Sequence, residues 1–520
     1  MRTVLFLALV VISGTAGDIL VSQTMKRIGE VNHFSPAALF RTGKRVAGSP
    51  LFWLAILILT FSFFSFLCLL SWAPVSFVVP ATALGYALGT LMARFMLREH
   101  IQPARWAGVG LICIGVALMS FSDIGGSITP HSLLTGLRDF ILVLGAAPLA
   151  YYIVCTYSAR KFFRAQRQAP PAATGFAPPV SILKPVRGAD PGAYENYASF
   201  CRLDYPEYEI VFVVEDDHDS AIPVIHRVMS EFPTCNIRLL IGAENLGASN
   251  KVCKLVRLVR EAKYDLFAIS DSDVRVQPDY LHAVVEHFAD PAVGAVTFLF
   301  RGIEDGTLAA QLDCLGASVE FCAGALVSNE LEGTHFAHGA TMATSRKTLQ
   351  EIGGFEALVD RHSDDFEFGN RISRLGYRVE IARKPVWMIF GPEAIRDYLR
   401  HELRWAIGLR HIRPGGHAGL FFTQAALAFL AAAVAPAWPI AAAYLGGYVV
   451  LRFLTAWTVA IWGLQDQVVK RKFWLLPLRD LLAFPVWLYS FFTDRIQWRG
   501  AEFIIREGRL IPVGSHSSHA

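Results

Sequence analysis

Charge is scarce in this chain, and basic tracts of the kind that neutralise many phosphates are absent. Lys and Arg number 48 against 44 Asp and Glu, a net of +4 over 520 residues. That imbalance argues against nucleic acid as a partner. Metal-binding cysteine patterns are missing too. The eight cysteines, Cys68, Cys113, Cys155, Cys201, Cys235, Cys253, Cys314 and Cys322, form no CxxC pair and lack zinc-site spacing. Several fall in apolar runs, which suits buried reduced thiols and a reducing, cytosolic setting for the central region.

Apolar side chains are abundant instead. Hydrophobic residues make up 53% of the chain and mean hydropathy is +0.39, more than a soluble domain usually carries. The length allows two or three domains. Runs long enough to cross a bilayer lie near 3–22, 50–71, 75–96, 102–122 and 134–157, and again at 418–436 and 438–462. The run 473–493 is a further span or an interfacial segment, with Trp474, Trp487, Trp498, Arg495 and Arg499 suited to an interface anchor. The first run has only Arg2 before it and similar spans after it, so it reads as a retained helix and not a signal peptide.

Basic residues orient the spans. Lys26, Arg27, Arg41, Lys44 and Arg45 follow the first, Arg94, Arg98 and Arg105 lie between the third and fourth, and Arg160, Lys161, Arg164 and Arg167 follow the fifth. The loops at 72–74 and 123–133 carry no Lys or Arg. All three basic segments share one side if the N-terminus is outside, so the expectation is a multi-pass inner (cell) membrane protein whose residues after 160 are cytoplasmic.

Between 169 and 413 the pattern changes. A Pro/Ala linker (169–179) leads into β-branched runs at Val180–Leu183, Ile210–Val214, Ile237–Ile241, Leu266–Ser270 and Val293–Phe300, alternating with amphipathic stretches. This predicts an α/β, Rossmann-like domain with a mostly parallel sheet, flanked by transmembrane helical modules.

Several constellations in this region can carry chemistry. The run Val180–Gly188 is a strand entering a Lys/Pro/Gly turn at the ligand edge of such a sheet, or a plain connection. After the next strand, Asp216 suits hydrogen bonds from a nucleoside, whereas Asp217, His218 and Asp219 read as a solvated turn. Strand Leu266–Ser270 delivers Asp271 and Asp273 as D-x-D, hard oxygen ligands for Mg2+ or Mn2+ against a diphosphate leaving group. The run His335–Thr341 can wall an acceptor pocket or serve structure alone. Asp365, in Asp364–Arg371, suits a general base for an acceptor hydroxyl; the alternative is that Asp364 or Asp365 only caps the helix. On the basic helix 396–413, Arg404 can pair with a diphosphate and Trp405 can pack under a sugar ring. The alternative there is an interfacial helix facing lipid head groups.

Together these residues resemble the ceramide glucosyltransferases, family 21 of the glycosyltransferases, within the larger family-2 type (GT-A) fold. That family carries D, D, D, (Q/R)xxRW in order, and this sequence reads Asp216, Asp271, Asp365 and His401-Glu-Leu-Arg404-Trp405 over about 150–505. His401 departs from the expected Gln or Arg, and Asp273 completes a D-x-D that animal members can lack. Both look more like bacterial members, including hopanoid-associated ones. The resemblance implies that Asp216 and Asp271 bind a UDP-sugar, with Lys251 near the donor. It also implies that Asp271 and Asp273 hold the metal and that Asp365 is the base of an inverting transfer to a ceramide or hopanoid polyol.

Residues 1–125, with Gly85, Gly89, Arg94, Glu99, Trp106, Gly108, Gly110 and Gly115, resemble a four-helix half of EamA or small multidrug resistance transporters, which implies a homodimer through these helices. Asp18 is the carboxylate within the first span. The expected division is this module (1–125), a membrane helix with its basic segment (130–168), the α/β domain (169–413), C-terminal membrane or interfacial helices (414–505) and a tail (506–520). Two other readings stand beside the lipid enzyme. One is a processive polysaccharide synthase, disfavoured by the few helices after the core. The other is a transporter with a nucleotide-sugar-sensing domain, which would have no need of a base.

Overall fold

The computed structural model describes residues 2–28, 46–96, 108–110, 112, 130–168, 175–304, 306–391, 394–498 and 501–513. Two compact units divide the chain, Met1–Phe140 and Ile141–Ala520.

In the first unit the apolar helices Arg2–Ile28 and Pro50–Leu70 lie against each other where glycine admits close approach. A Cβ on Gly17 would come within 2.5 Å of the Leu59 side chain. The expected third span is broken into helices Val75–Ala81 and Leu84–Met96, with Pro80 inside the first. The expected fourth span, 102–122, lies outside the described residues except for 108–110 and 112. So do Arg41, Lys44, Arg45, Arg98 and Arg105, on which the orientation leans.

The second unit opens within the long helix Pro130–Gln168. Its sheet is built from β1 (Val180–Pro185), β2 (Tyr208–Val214), β3 (Ile237–Ile241), β4 (Leu266–Ser270), β6 (Val293–Thr297), β8 (Thr341–Ser345) and β9 (Arg378–Ile381). A smaller sheet holds β5 (Val274–Arg275), β7 (Phe300–Glu304) and β10 (Val386–Phe390). The seven strands run in the order β3-β2-β1-β4-β8-β6-β9, with β8 antiparallel to both neighbours. Strands covered on both faces read as unbroken apolar runs, and β1 is buried throughout. Alternate residues feed the two core layers: Ile182, Ile210, Phe212 and Ala268 one, Leu183, Val211, Val213, Phe267 and Ile269 the other.

Two sequence expectations need correction. The run Val293–Phe300 is two strands and not one, because β6 stays in the main sheet while β7 joins the small one. The helical stretch Leu308–Leu331 is apolar enough to cross a membrane, yet 78% of its apolar window is buried. It packs against β7 and against the helix Ile395–Ile412. Its apolarity therefore reflects burial within the unit, as an all-round hydrophobic helix should.

The second correction concerns the C-terminus. The expected span 418–436 is bent by 42° between Pro414–Thr423 and Ala425–Val434, while Trp438–Gly463 is a continuous 26-residue helix. The segment at 473–493 contains the helix Leu476–Tyr489 of only 14 residues, short of the ~20 a span requires. A buried ion pair between Arg452 and Asp480, 2.6 Å apart, ties it to the continuous helix. The chain then forms an antiparallel sheet of β11 (Arg495–Trp498), β12 (Ala501–Arg506) and β13 (Arg509–Pro512). Arg495 and Trp498, expected as interface anchors, and residues 506–513, expected as tail, thus belong to a folded sheet. Glu507 and Gly508 turn it with φ of 50° and 74°, both positive as the hairpin twist favours. Its inner face, Ile496, Ile505 and Leu510, packs on Ile407.

Gly369 lets the helix Asp364–Arg374 cross close over the backbone at Phe336 and Ala337. A Cβ there would stand 2.3 Å from the Ala337 amide nitrogen, and backbone cannot yield as a side-chain tip can. Gly369→Ala is expected to cost about 1–3 kcal/mol of stability, read as a lower Tm of the full chain; an unchanged Tm would contradict this packing.

Candidate active site

β1, β2 and β4 are parallel neighbours, so the turns after them open at one edge. β4 ends at Ser270 and delivers Asp271 and Asp273. The Asp271 amide donates to the Ala340 carbonyl at 3.1 Å, and its own carbonyl accepts from Lys184 Nζ at 2.8 Å. The acidic turn is therefore pinned from both sides. One Asp273 carboxylate oxygen is buried with no hydrogen-bond partner. Burial, then Asp271 and Asp190, push this carboxyl up to about 7, with Lys184 opposing.

Lys184 is fully buried, its ammonium 3.9 Å over the Phe200 ring. Burial draws it down to about 7 against the pull of Asp273, Asp271 and Asp190. Sequence reasoning missed it; the available signal was a lysine inside an otherwise apolar strand.

Lys251 stands in the first turn of the helix Asn250–Glu261, which Ser249 caps by accepting from the Val252 amide. Its ammonium lies 2.7 Å from Asp271 Oδ1 and 3.8 Å from Asp364 Oδ2. Burial works against that charge, but Asp271 and Asp364 hold the pKa above the usual lysine range. Lys251 thus gathers the D-x-D turn and the helix Asp364–Arg374 into one cluster.

Asp364 and Asp365 open that helix as its first two residues. The N-cap is Ser363, and it makes no side-chain cap bond. Asp365 Oδ1 accepts from the neighbouring Phe366 amide at 2.8 Å. Burial and then Asp364 push the Asp365 carboxyl up to about 6, with Lys251 opposing, and Asp364 is raised chiefly by burial. A Cβ on Gly339 would stand 2.9 Å from Asp365 Oδ2, so the glycine leaves this carboxylate its space.

A line of rings leads away from Asp365. Phe366 stacks on Phe336 at 5.7 Å, Phe336 meets His338 at 5.6 Å, His338 meets Phe321 at 5.0 Å, and Phe321 meets Trp405 at 5.5 Å. His338 is buried and held down to about 4 by desolvation, so it is neutral.

The remaining expected residues have partners of their own. Asp216 is exposed after β2, accepting from the His218 amide at 2.9 Å. His401 meets Asp313 at 3.3 Å and the Trp405 ring at 6.0 Å. Arg404 lies over the Trp498 ring at 5.6 Å and borders a cavity of about 190 Å3 with Arg400, Arg495 and Glu502.

The acidic turn fits a divalent cation in its donor chemistry: hard carboxylate oxygens, one of them buried and unpartnered. Among the described residues no group of three or more His, Cys, Asp or Glu is arranged to hold a metal ion. Two carboxylates alone leave most of a coordination sphere to be filled by phosphate oxygens and water.

A Rossmann-like α/β unit, with carboxylates after parallel strands and apolar helices beside it, is the arrangement of a GT-A glycosyltransferase. The chain belongs to glycosyl transferase family 21, whose profile matches residues 140–511. It is 25% identical over 356 residues to Ceramide glucosyltransferase 1 of Caenorhabditis elegans, covering 65% of this chain and 74% of that protein. It is 30% identical over 177 residues to Ceramide glucosyltransferase of Gibberella zeae, covering 32% of this chain and 33% of that protein. Among solved structures, Mannosyltransferase PcManGT from Pyrobaculum calidifontis, in complex with GDP-Man and Mn2+, aligns with a TM-score of 0.42 at 20% identity. That alignment covers 68% of this chain and 99% of that one.

Lys251→Met removes the cation between Asp271 and Asp364 and leaves like charges facing each other. It is expected to cost about 1–3 kcal/mol in thermal unfolding, and adding Asp364→Asn is expected to return part of that loss. Strictly additive losses would contradict the shared cluster.

Proposed function

We propose that this glycosyltransferase moves a sugar from a UDP-sugar to a lipid hydroxyl with inversion, at the cytosolic face of the membrane, with Asp365 as general base. The observation that carries the reading is the Lys251 cluster, which joins the acidic turn after β4 to the carboxylate helix. The acceptor side rests on the named relatives, both ceramide glucosyltransferases. Ceramide and a hopanoid polyol are the acceptors to test.

Asp216 and Asp271 hold the donor, with Lys251 beside its phosphates. Mg2+ or Mn2+, held by Asp271 and Asp273 together with the diphosphate, would neutralise leaving-group charge. Asp365 takes the proton of the acceptor hydroxyl as that oxygen bonds to the anomeric carbon and the bond to UDP breaks. A carboxyl held near 6 by its surroundings is a suitable base at neutral pH. Trp405 and His401 flank the acceptor along the ring line, and Arg404 meets the departing diphosphate.

The test uses the full chain in nanodiscs, with UDP-sugars against ceramide, diacylglycerol and bacteriohopane polyol, scoring glycolipid by mass. A metal-dependent glycolipid that falls by about a thousandfold or more in Asp365→Asn is expected. Long polymer would support the synthase reading, and UDP-sugar binding without turnover would support the sensor.

The pH profile follows from the same carboxyl. At saturating Mg2+ or Mn2+, which would keep Asp273 ionised, the base form of Asp365 is the active one, so kcat/KM should be flat above about 6 and lost as pH falls through about 6. An acidic limb near 4 would mean that the essential base is an unshifted carboxylate elsewhere.

A further inference from the structure

The short segment before Asp364 is held from two sides. On one side is the loop that begins the Lys251 helix: the Ala248 amide donates to Asp360 Oδ1 at 3.0 Å, and the Ser249 amide to the Val359 carbonyl at 2.7 Å. Gly247 lets the two strands of chain touch, since a Cβ there would stand 2.7 Å from both Asp360 Oδ1 and Val359. On the other side is the C-terminal hairpin. The Leu510 amide donates to the Asp360 carbonyl at 2.9 Å, the His362 amide donates to the Gly508 carbonyl at 3.0 Å, and Arg361 pairs as a β-bridge with Arg509.

Asp360 joins the two: its side chain grips the first loop while its backbone is gripped by the hairpin. Few residues separate this clasp from the chemistry: Ala248 lies three before Lys251, and Asp360 lies five before Asp365. Two further contacts resist sliding. Ala248 packs into the apolar cluster of Ile407, Ile496, Ile505 and Leu510, and Arg361 lies 3.9 Å from Glu367 on the Asp364–Arg374 helix. A shift of either loop would move Lys251 relative to Asp364, whose present separation is 3.8 Å.

We propose that Asp360, gripped by the C-terminal hairpin, is a positioning residue for sugar transfer, keeping Lys251 seated between Asp271 and Asp364. The role in transfer rests on the function proposed above; the clasp itself does not. Asp360 touches neither donor nor acceptor in this account, so its loss should act through the donor side, where Lys251 stands, and spare the acceptor.

The experiment compares the full chain in nanodiscs with Asp360→Ala, Asp360→Asn and Leu510→Pro. Asn keeps the oxygen that accepts from Ala248, whereas Pro at 510 removes the N–H that holds the Asp360 carbonyl. Hydrogen exchange, followed without substrate, should quicken about tenfold or more at 248–249 in Asp360→Ala, with β1 and β4 unchanged. The UDP-glucose KM should rise about five- to tenfold in Asp360→Ala and Leu510→Pro, with the ceramide KM within about twofold. Asp360→Asn should stay close to the unsubstituted chain in both readouts. A uniform loss of activity at constant KM, or Asn behaving like Ala, would overturn the proposal, since a merely structural residue gives that pattern. Unchanged exchange in Asp360→Ala would overturn the clasp. If the unsubstituted chain turns over no UDP-sugar, the function reading falls, and the exchange result alone decides whether Asp360 joins the two loops.

Discussion

The site depends on a single cation placed among carboxylates. Without Lys251, the partly exposed Asp271 and the buried Asp364 would face each other as like charges, an arrangement that raises carboxyl pKa values and pushes chain segments apart. With it, the turn after β4 and the start of the Asp364–Arg374 helix become neighbours in one electrostatic unit. Lys184 does the complementary work from beneath, fixing the backbone of the acidic turn through the Asp271 carbonyl. One lysine orders side chains and the other orders backbone, and neither task can be exchanged for a hydrophobic contact.

That constraint explains why so much of the second unit converges on one sheet edge. The carbonyl of Ala340 fixes Asp271, Gly339 leaves room for Asp365, and Gly369 lets the carboxylate helix cross directly over the Phe336–Ala337 backbone. The ring line from Phe366 to Trp405 then joins this edge to the basic helix Ile395–Ile412. A neutral, buried His338 sits within that line at no charge cost. The family match through residue 511 runs past the membrane-type helices into the hairpin, so the C-terminal sheet is part of the unit that the family shares.

How much was legible in the sequence varies with the physics of each element. β2 and β4 were readable because strands covered on both faces read as apolar runs, whereas the edge strand β3 is only partly covered and showed through its β-branched and aliphatic residues alone. The paired Asp271 and Asp273 stood out because carboxylates directly after such a strand have few structural reasons to be there. Lys184 was hidden since a lysine before proline reads as the start of a turn, whereas the structure buries it against Phe200. The β6–β7 break carries no proline or glycine, so no local signal marked it. The hairpin was missed because its turn is Glu507-Gly508 and not the Asn-Gly or Asp-Gly that announces one, and because Trp498 suited a membrane interface equally well. The loop-to-hairpin contacts of Asp360 join residues more than a hundred apart in the chain and leave no local pattern at all.

In the proposed function the acidic turn holds a divalent cation only together with a nucleotide diphosphate. The most direct measurement is Mn2+ paramagnetic resonance on the full chain, with and without UDP. Two carboxylates give an incomplete coordination sphere, so the account predicts weak Mn2+ binding alone, marked tightening when UDP is added, and loss of that tightening in Asp273→Asn. Mn2+ binding that ignores UDP, or that survives Asp273→Asn unchanged, would contradict it.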